Sequence, residues 1–320
     1  MFSSVTTVLL SILLVSLEAD PADSIDATRT GKGKPRSEST SDAATEKEFL
    51  RLQAEDDAAQ AAVDGWTREN EKLRAKGGGV SDADLKRRSR ERFEPVRAAY
   101  EVFLARHPAH AQAHLLYGSF LSDREDEAGA QVQWEKALEL DPKMPEAYHN
   151  LAGLYTETGQ TKKALDYYRK AIELRPADAS FYHSFGDSTY VLRKGIVRLE
   201  GITEQQVYAR ALSLYSNAVT LEPTNFLFTS DYAQTYYALD PLPYEAALRS
   251  WTNALGSASH DGQRQMVHVH LARLKMLDGR YDESRAHLTM VTNQECSQLR
   301  SNLLRRLDEQ QKPSADAKKQ

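Results

Sequence analysis

The sequence predicts an all-α fold: a right-handed solenoid of stacked helix–turn–helix pairs, with a helical extension before them and a capping helix after. Three observations carry that expectation. First, Ala111 to Pro142 (AQAHLLYGSFLSDREDEAGAQVQWEKALELDP) is nearly restated by Pro145 to Pro176 (PEAYHNLAGLYTETGQTKKALDYYRKAIELRP), 34 residues later. Second, the matches alternate small and large: Gly118 with Ala152, Ala130 with Ala164, Trp134 with Tyr168, Ala137 with Ala171. Small residues let two helices approach, and a ring four residues along the same face fills the space between them. Third, Pro142 and Pro176 close both copies, because proline donates no N–H and its ring clashes with the preceding turn. A fixed period of this length marks units that bury their apolar faces only against neighbours.

The elements follow in order. Val8 to Leu17 is an apolar run of signal-peptide length, too short to span a bilayer. With Ala19 as a candidate cleavage residue, 1–19 reads as an export signal, which places the mature chain in the periplasm or outside the cell. The alternatives are a mis-assigned start and an uncleaved anchor, since no Lys or Arg precedes the run and Leu17 is large for a cleavage motif. Residues 20–44 lack aromatics and are expected to be a disordered spacer.

Residues 45–108 read as a helical extension plus a degenerate repeat. Phe49, Leu52, Ala59, Val63, Trp66 and Leu73 recur at mostly helical spacing, with Asp56 and Asn70 interrupting, so a long helix is expected over Glu46 to Ala75. It either caps the first repeat or pairs with a second copy as a short coiled coil. Asp56 and Gly65 weaken the second reading. Gly77, Gly78 and Gly79 break the helix. Ser81 then caps another, with Asp82 and Asp84 in its first turn, where they favour the helix dipole. Lys86, Arg87, Arg88, Arg90 and Arg92 form the one dense basic cluster. No aromatic interleaves with it before Phe93, so it reads as a solvated helix face rather than a nucleic-acid contact. Phe93 to Pro108 is the second helix of the degenerate unit, with Tyr100 and Phe103 where Trp134 and Ala137 stand one period later.

The solenoid proper is expected over 109–293. Units 111–144 and 145–178 are the best matched. The third, 179–225, carries Phe185, Gly186, Ala211, Tyr215 and Ala218. Pro176 to Pro223 spans 47 residues against a period of 34, so about 13 are inserted near Arg193–Thr203. The insertion is expected to lengthen the first helix of the pair and its connecting loop, with Thr203 and Gln206 as a capping box for the next helix. Units 226–260 (Tyr232, Ala233, Tyr236, Ala247, Trp251, Ala254) and 261–293 (Leu271, Ala272, Gly279, Ser284, Leu288) are degenerate. Residues 294–310 read as the capping helix and 311–320 as a disordered tail.

These constrained positions, above all Tyr148, Leu151, Ala152, Tyr155, Gly159, Ala164, Tyr168, Ala171 and Pro176, resemble the tetratricopeptide repeat. The resemblance covers about Phe93 to Val291. It implies that the first helices of the pairs line a concave groove in which a partner peptide lies. Carried over by register, the groove residues are Leu115, Ser119, Ser122, His149, Gly153, Thr156, His183, Asp187, Tyr190, Ser230, Gln234 and Tyr237. Family members that grip a C-terminal carboxylate place Lys and Asn where this chain has Leu115, Ser119, His149 and Gly153, so that clamp is absent.

Composition bounds the chemistry. With 41% hydrophobic and 27% charged residues and a formal net charge of −5, nothing drives the chain as a whole toward nucleic acid. Cys296 is the sole cysteine, which excludes an intrachain disulfide framework. Gly77–Gly79 lacks the Lys and Ser/Thr of a phosphate loop. His268 and His270, two apart on a helix, point about 200° apart and cannot share an ion. His107, His110 and His114 straddle a turn. No catalytic set, cofactor or metal is expected. The functional expectation is a non-enzymatic scaffold for a protein or peptide partner. The alternatives are self-association through 46–75 and an accessory subunit of an enzyme acting in trans.

Overall fold

The computed structural model describes residues 39–294 and 296–311. The export signal, most of the expected spacer and nearly all of the tail lie outside the described residues. Among those described there are α-helices, one short 3₁₀ turn and no strand.

Helix α1 spans Ser39–Arg74 and α2 Asp82–Arg106. The first thus starts before the expected Glu46, and the last residues of the expected spacer are helical. Phe49, Leu52 and Ala59 are buried. Phe49 packs on Phe103 of α2 and on His110, with ring centroids 5.7 and 4.4 Å apart. The two polar residues that interrupt the α1 stripe have partners. Asp56 accepts from the Tyr100 hydroxyl at 2.7 Å. Asn70 accepts from the Val80 N–H at 2.7 Å and donates to the Val80 carbonyl at 3.2 Å, closing the glycine loop. Burial holds the Asp56 carboxyl above the usual range, and the Tyr100 bond partly offsets this. Ser81 caps α2 through the Asp84 N–H. In the basic cluster Arg88 lies over the Trp66 ring at 3.8 Å, and Arg87 pairs with Asp84 and Glu91.

Five helix pairs follow: α3 (Ala111–Ser122) with α4 (Glu127–Leu140), and α5 (Pro145–Glu157) with α6 (Thr161–Leu174). In the third pair, α7 (Ala179–Val191) packs with α9 (Glu204–Leu221), and α8 (Arg193–Glu200) lies between them in sequence. The fourth is α10 (Phe226–Thr235), continued by a 3₁₀ turn at Tyr236–Ala238, with α11 (Tyr244–Ser257). The fifth is α12 (Asp261–Leu277) with α13 (Tyr281–Thr289), and α14 (Ser297–Gln311) follows.

The insertion corrects one expectation. It does not lengthen α7. The chain turns at Leu192 and forms the separate two-turn helix α8, which ends at Gly201 in the left-handed region, φ 68°. Ile196 of α8 is fully buried, and Gly195 faces Thr161 at the start of α6 so closely that an added Cβ would overlap the Thr161 hydroxyl. The apolar Ile196 anchor makes a separate helix more favourable than an exposed extension of α7. Thr203 and Gln206 form the expected capping box.

Burial is distributed as successive clusters rather than one core. One runs from Phe49 to Val207, another gathers Ala233, Trp251 and Leu274, and a third holds Leu288, Val291, Leu303 and Leu307. Leu303 and Leu307 are the buried face of α14, the expected cap. Cys296 is buried just before it. No helix of the described residues is long and apolar enough to cross a membrane.

Within a pair, the first helix approaches the second across a small residue. A Cβ added to Gly118 would lie 2.5 Å from Trp134 Cδ1, and one added to Gly186 would lie 2.8 Å from Tyr215 Cε1. A Cβ added to Gly153 of α5 would meet only the Tyr168 hydroxyl, at 3.9 Å. Gly118→Ala is therefore expected to cost about 1–3 kcal/mol through overpacking. Gly153→Ala is expected to be neutral, or to gain up to about 1 kcal/mol from helix propensity. Urea unfolding of the two variants measures the difference; equal midpoints would contradict the packing described.

Candidate functional site

The helices α3, α5, α7 and α10 meet through a polar ladder. Asn150 donates to the Ser119 hydroxyl at 3.2 Å. Thr156 donates to Ser188 at 3.0 Å, and Ser188 donates to the Tyr168 hydroxyl at 3.0 Å. His183 meets Asp231 through Nε2 at 2.8 Å and Asp187 through Nδ1 at 3.4 Å. The Tyr215 hydroxyl donates to Asp187 at 2.5 Å.

This ladder divides the twelve residues expected to line a groove. Leu115 and Ser230 are buried, and the Ser230 hydroxyl donates to the Leu227 carbonyl. Ser119 and Thr156 are half-buried and engaged with the neighbouring helix. Ser122 and Gly153 are half-buried. His149 stacks on Phe181 at 4.9 Å and lies edge-on to Tyr168, and its burial lowers the ring's proton affinity. The remaining residues converge. Asp187, Tyr190, Gln234 and Tyr237, together with Tyr215, Asp231, Thr235 and Ala238, line a cavity of about 310 Å³ between α7, α9 and the α10 turn. Buried His183 lies beneath it, between the two carboxylates.

The electrostatics follow from that placement. The protein around Asp187 excludes enough water to raise its carboxyl above the usual range, while His183 and the Tyr215 bond pull it back. Burial and the neighbouring Asp187 raise the Tyr215 phenol far above the ordinary tyrosine range. Burial likewise raises Tyr237, with Arg273, 4.4 Å over its ring, acting in the opposite sense. The Tyr237 hydroxyl donates to the His270 carbonyl at 3.4 Å, and the His270 ring stacks on Trp251 at 3.9 Å and 4°.

His183, Asp187 and Asp231 bring three ligand atoms within 4.8 Å of one another. These are residue types that hold a divalent cation. In the arrangement present, each ring nitrogen instead faces a different carboxylate, so the imidazole bridges the two acids. His268 and His270 part as their spacing requires: His268 meets His287 Nδ1 at 3.0 Å, and His270 turns to Trp251. His110 caps α3, and His114 meets Gln133 and the Pro108 carbonyl.

Sequence reasoning missed Asn150, Ser188, Asp231 and the Tyr215 hydroxyl. A signal existed for two of them. Counted from the small residues Ala152 and Ala233, Asn150 and Asp231 hold the same register position, and each bonds back to the preceding first helix. For Tyr215 the ring was placed in the core and its hydroxyl was left out of account.

A family model described as tetratricopeptide repeat matches residues 145–178. The chain thus carries a tetratricopeptide repeat at 145–178, within a solenoid of helix pairs. Its fold is similar to the C-terminal part of a TPR repeat-containing protein from Cytophaga hutchinsonii: 15% identity, 80% of this chain and 98% of that one covered, TM-score 0.53. The TPR protein YrrB, described as having an unusual peptide-binding site, aligns at 17% identity over 65% of this chain and 98% of its own, TM-score 0.48. Among curated proteins, the Protein CTR9 homolog of Arabidopsis thaliana is 42% identical over 59 residues. That match takes in 18% of this chain and 5% of that protein's length.

The layer beneath the cavity is pH-sensitive. Burial, aided by Arg273, pushes His270 down to about 4. Between the ordinary histidine range near 6.5 and that value, the unfolded chain binds a proton that the folded chain refuses. Stability is therefore complete above about pH 6.5 and falls as pH drops toward 4, by up to about 3 kcal/mol. His270→Phe keeps the stacking on Trp251 and is expected to flatten this part of the urea-midpoint profile. An unchanged slope would show that His270 is not the group responsible.

Proposed function

We propose that this chain is a non-enzymatic scaffold that holds an extended segment of another protein along the first helices of its pairs. The supporting observation is the cavity shared by α7, α9 and the α10 turn. Four residues placed in the groove by repeat register alone, Asp187, Tyr190, Gln234 and Tyr237, line it. A concave site with few convergent polar groups and an aromatic lining is the usual form of a recognition site. Its polar groups are hydrogen-bonded to one another as a rigid surface, not set out as nucleophile and base.

Self-association through α1 has less support. Phe49, Leu52 and Ala59 are already buried, which leaves that stripe little apolar area for a second copy.

A photo-reactive residue at Gln234 is expected to cross-link a partner in the native cell fraction. The same residue at Lys162, exposed on α6, is expected to cross-link none. Equal labelling from both positions, or none from Gln234, would sink the groove reading.

Export is proposed on the Val8–Leu17 run and Ala19. Sequencing the N-terminus of the native protein tests it. A start near Asp20 is expected, and an intact Met1 in the cytosol would remove the claim.

A further inference from the structure

We propose that the cavity between α7, α9 and the α10 turn takes the cationic end of an arginine or lysine side chain carried by the bound segment. This rests on the groove reading above and adds the chemistry of the occupant.

The first argument is uncompensated charge. Asp187 and Asp231 stand on consecutive first helices and converge on one cavity. Among the described residues neither is paired with a lysine or arginine; both meet the single imidazole of His183. Some other carboxylates of the surface are each held by two bases. Glu200 has Arg210 and Arg169, Asp166 has Lys162 and Arg169, and Glu283 has Lys275 and Arg280. The two groove acids keep 49% and 36% of their side-chain surface open to solvent, while His183 keeps 5%. A partner's side chain can reach the acids from solvent, and the imidazole is the floor beneath them.

The second argument is the lining. Tyr190, Tyr215 and Tyr237 surround the acids, and aromatic faces attract cations most strongly where water is partly excluded. The rim already demonstrates the compatibility. Arg193 lies 5.7 Å over Tyr190 and Arg273 lies 4.4 Å over Tyr237, yet neither lines the cavity nor pairs with Asp187 or Asp231. The third is size. About 310 Å³ is at the lower limit of sites that enclose a small ligand, which suits one long side chain.

A divalent metal on the same trio is the rival occupant. The geometry disfavours it. The Nδ1 and Nε2 lone pairs of one ring diverge, and Asp187 faces the first while Asp231 faces the second. An ion bound to one nitrogen would have to draw the opposite carboxylate around the ring.

The test is selection of a random dodecapeptide display library on the full chain. Selected peptides are expected to share a basic residue. A synthetic copy with citrulline in place of that arginine, or norleucine in place of that lysine, is expected to bind at least tenfold more weakly. Asp231→Asn should lose affinity for the basic peptide to the same degree, and so should Gln234→Lys, a change at an exposed position that leaves the packing intact. In both variants the basic peptide should lose its advantage over the neutral copy. Selected peptides without basic enrichment, or equal binding of the neutral copy, would overturn the cation site while sparing the groove. A failure to select any peptide would overturn both. Micromolar Zn²⁺ binding that His183→Ala abolishes, with no penalty for the neutral copy, would reassign the trio to a metal.

Discussion

The repeat hangs on close contact between a residue with little or no side chain on the first helix of a pair and an aromatic ring on the second, as the first and third pairs show. Gly118 lies under Trp134 and Gly186 under Tyr215, at separations that leave no room for a Cβ. In the fifth pair Ser284 takes the small place on the second helix, fully buried, with its hydroxyl donating to the Ala272 carbonyl at 2.7 Å. The ring then spans to the next pair: Tyr100 stacks on Tyr117 and Tyr168 on Phe185. One side chain thus fixes both the crossing within a unit and the spacing to its neighbour. This is why nearest-neighbour clusters can replace a single core.

The same rings also carry polar tips. Where the position holds tyrosine, its hydroxyl bonds a polar residue of a first helix. Tyr168 receives the Ser188 bond, and Tyr215 donates to Asp187. Where it holds tryptophan, in the first and fourth pairs, the indole N–H is buried without a partner. The choice between the two rings therefore decides whether packing energy also positions a polar surface. In the third pair it does, and the cavity lies there.

Most of the fold was legible because periodicity needs only local spacing. Pairs 111–144 and 145–178, the capping box at Thr203 and the capping helix at the end are all read from residues within a few turns of one another. The insertion was not read correctly. Continuous helical propensity through VLRKGIVRLEG does not reveal that burying Ile196 favours a turn at Leu192 over straight continuation. The candidate site was half legible. Register brought Asp187, Tyr190, Gln234 and Tyr237 together, and they line one cavity, but it also nominated Leu115 and Ser230, which the packing buries.

What the amino-acid order settled unaided, outside the 193–203 insertion, is which segments pair as helices and where their apolar stripes run, because both follow from a period of 3.6 nested in a period of 34. What required the folded chain is the meeting of His183 with Asp231, 48 residues away, and of Tyr215 with Asp187. Those meetings depend on the angle and rise between successive pairs. Both are set by the volumes of side chains wedged between helices, a quantity that no local pattern encodes.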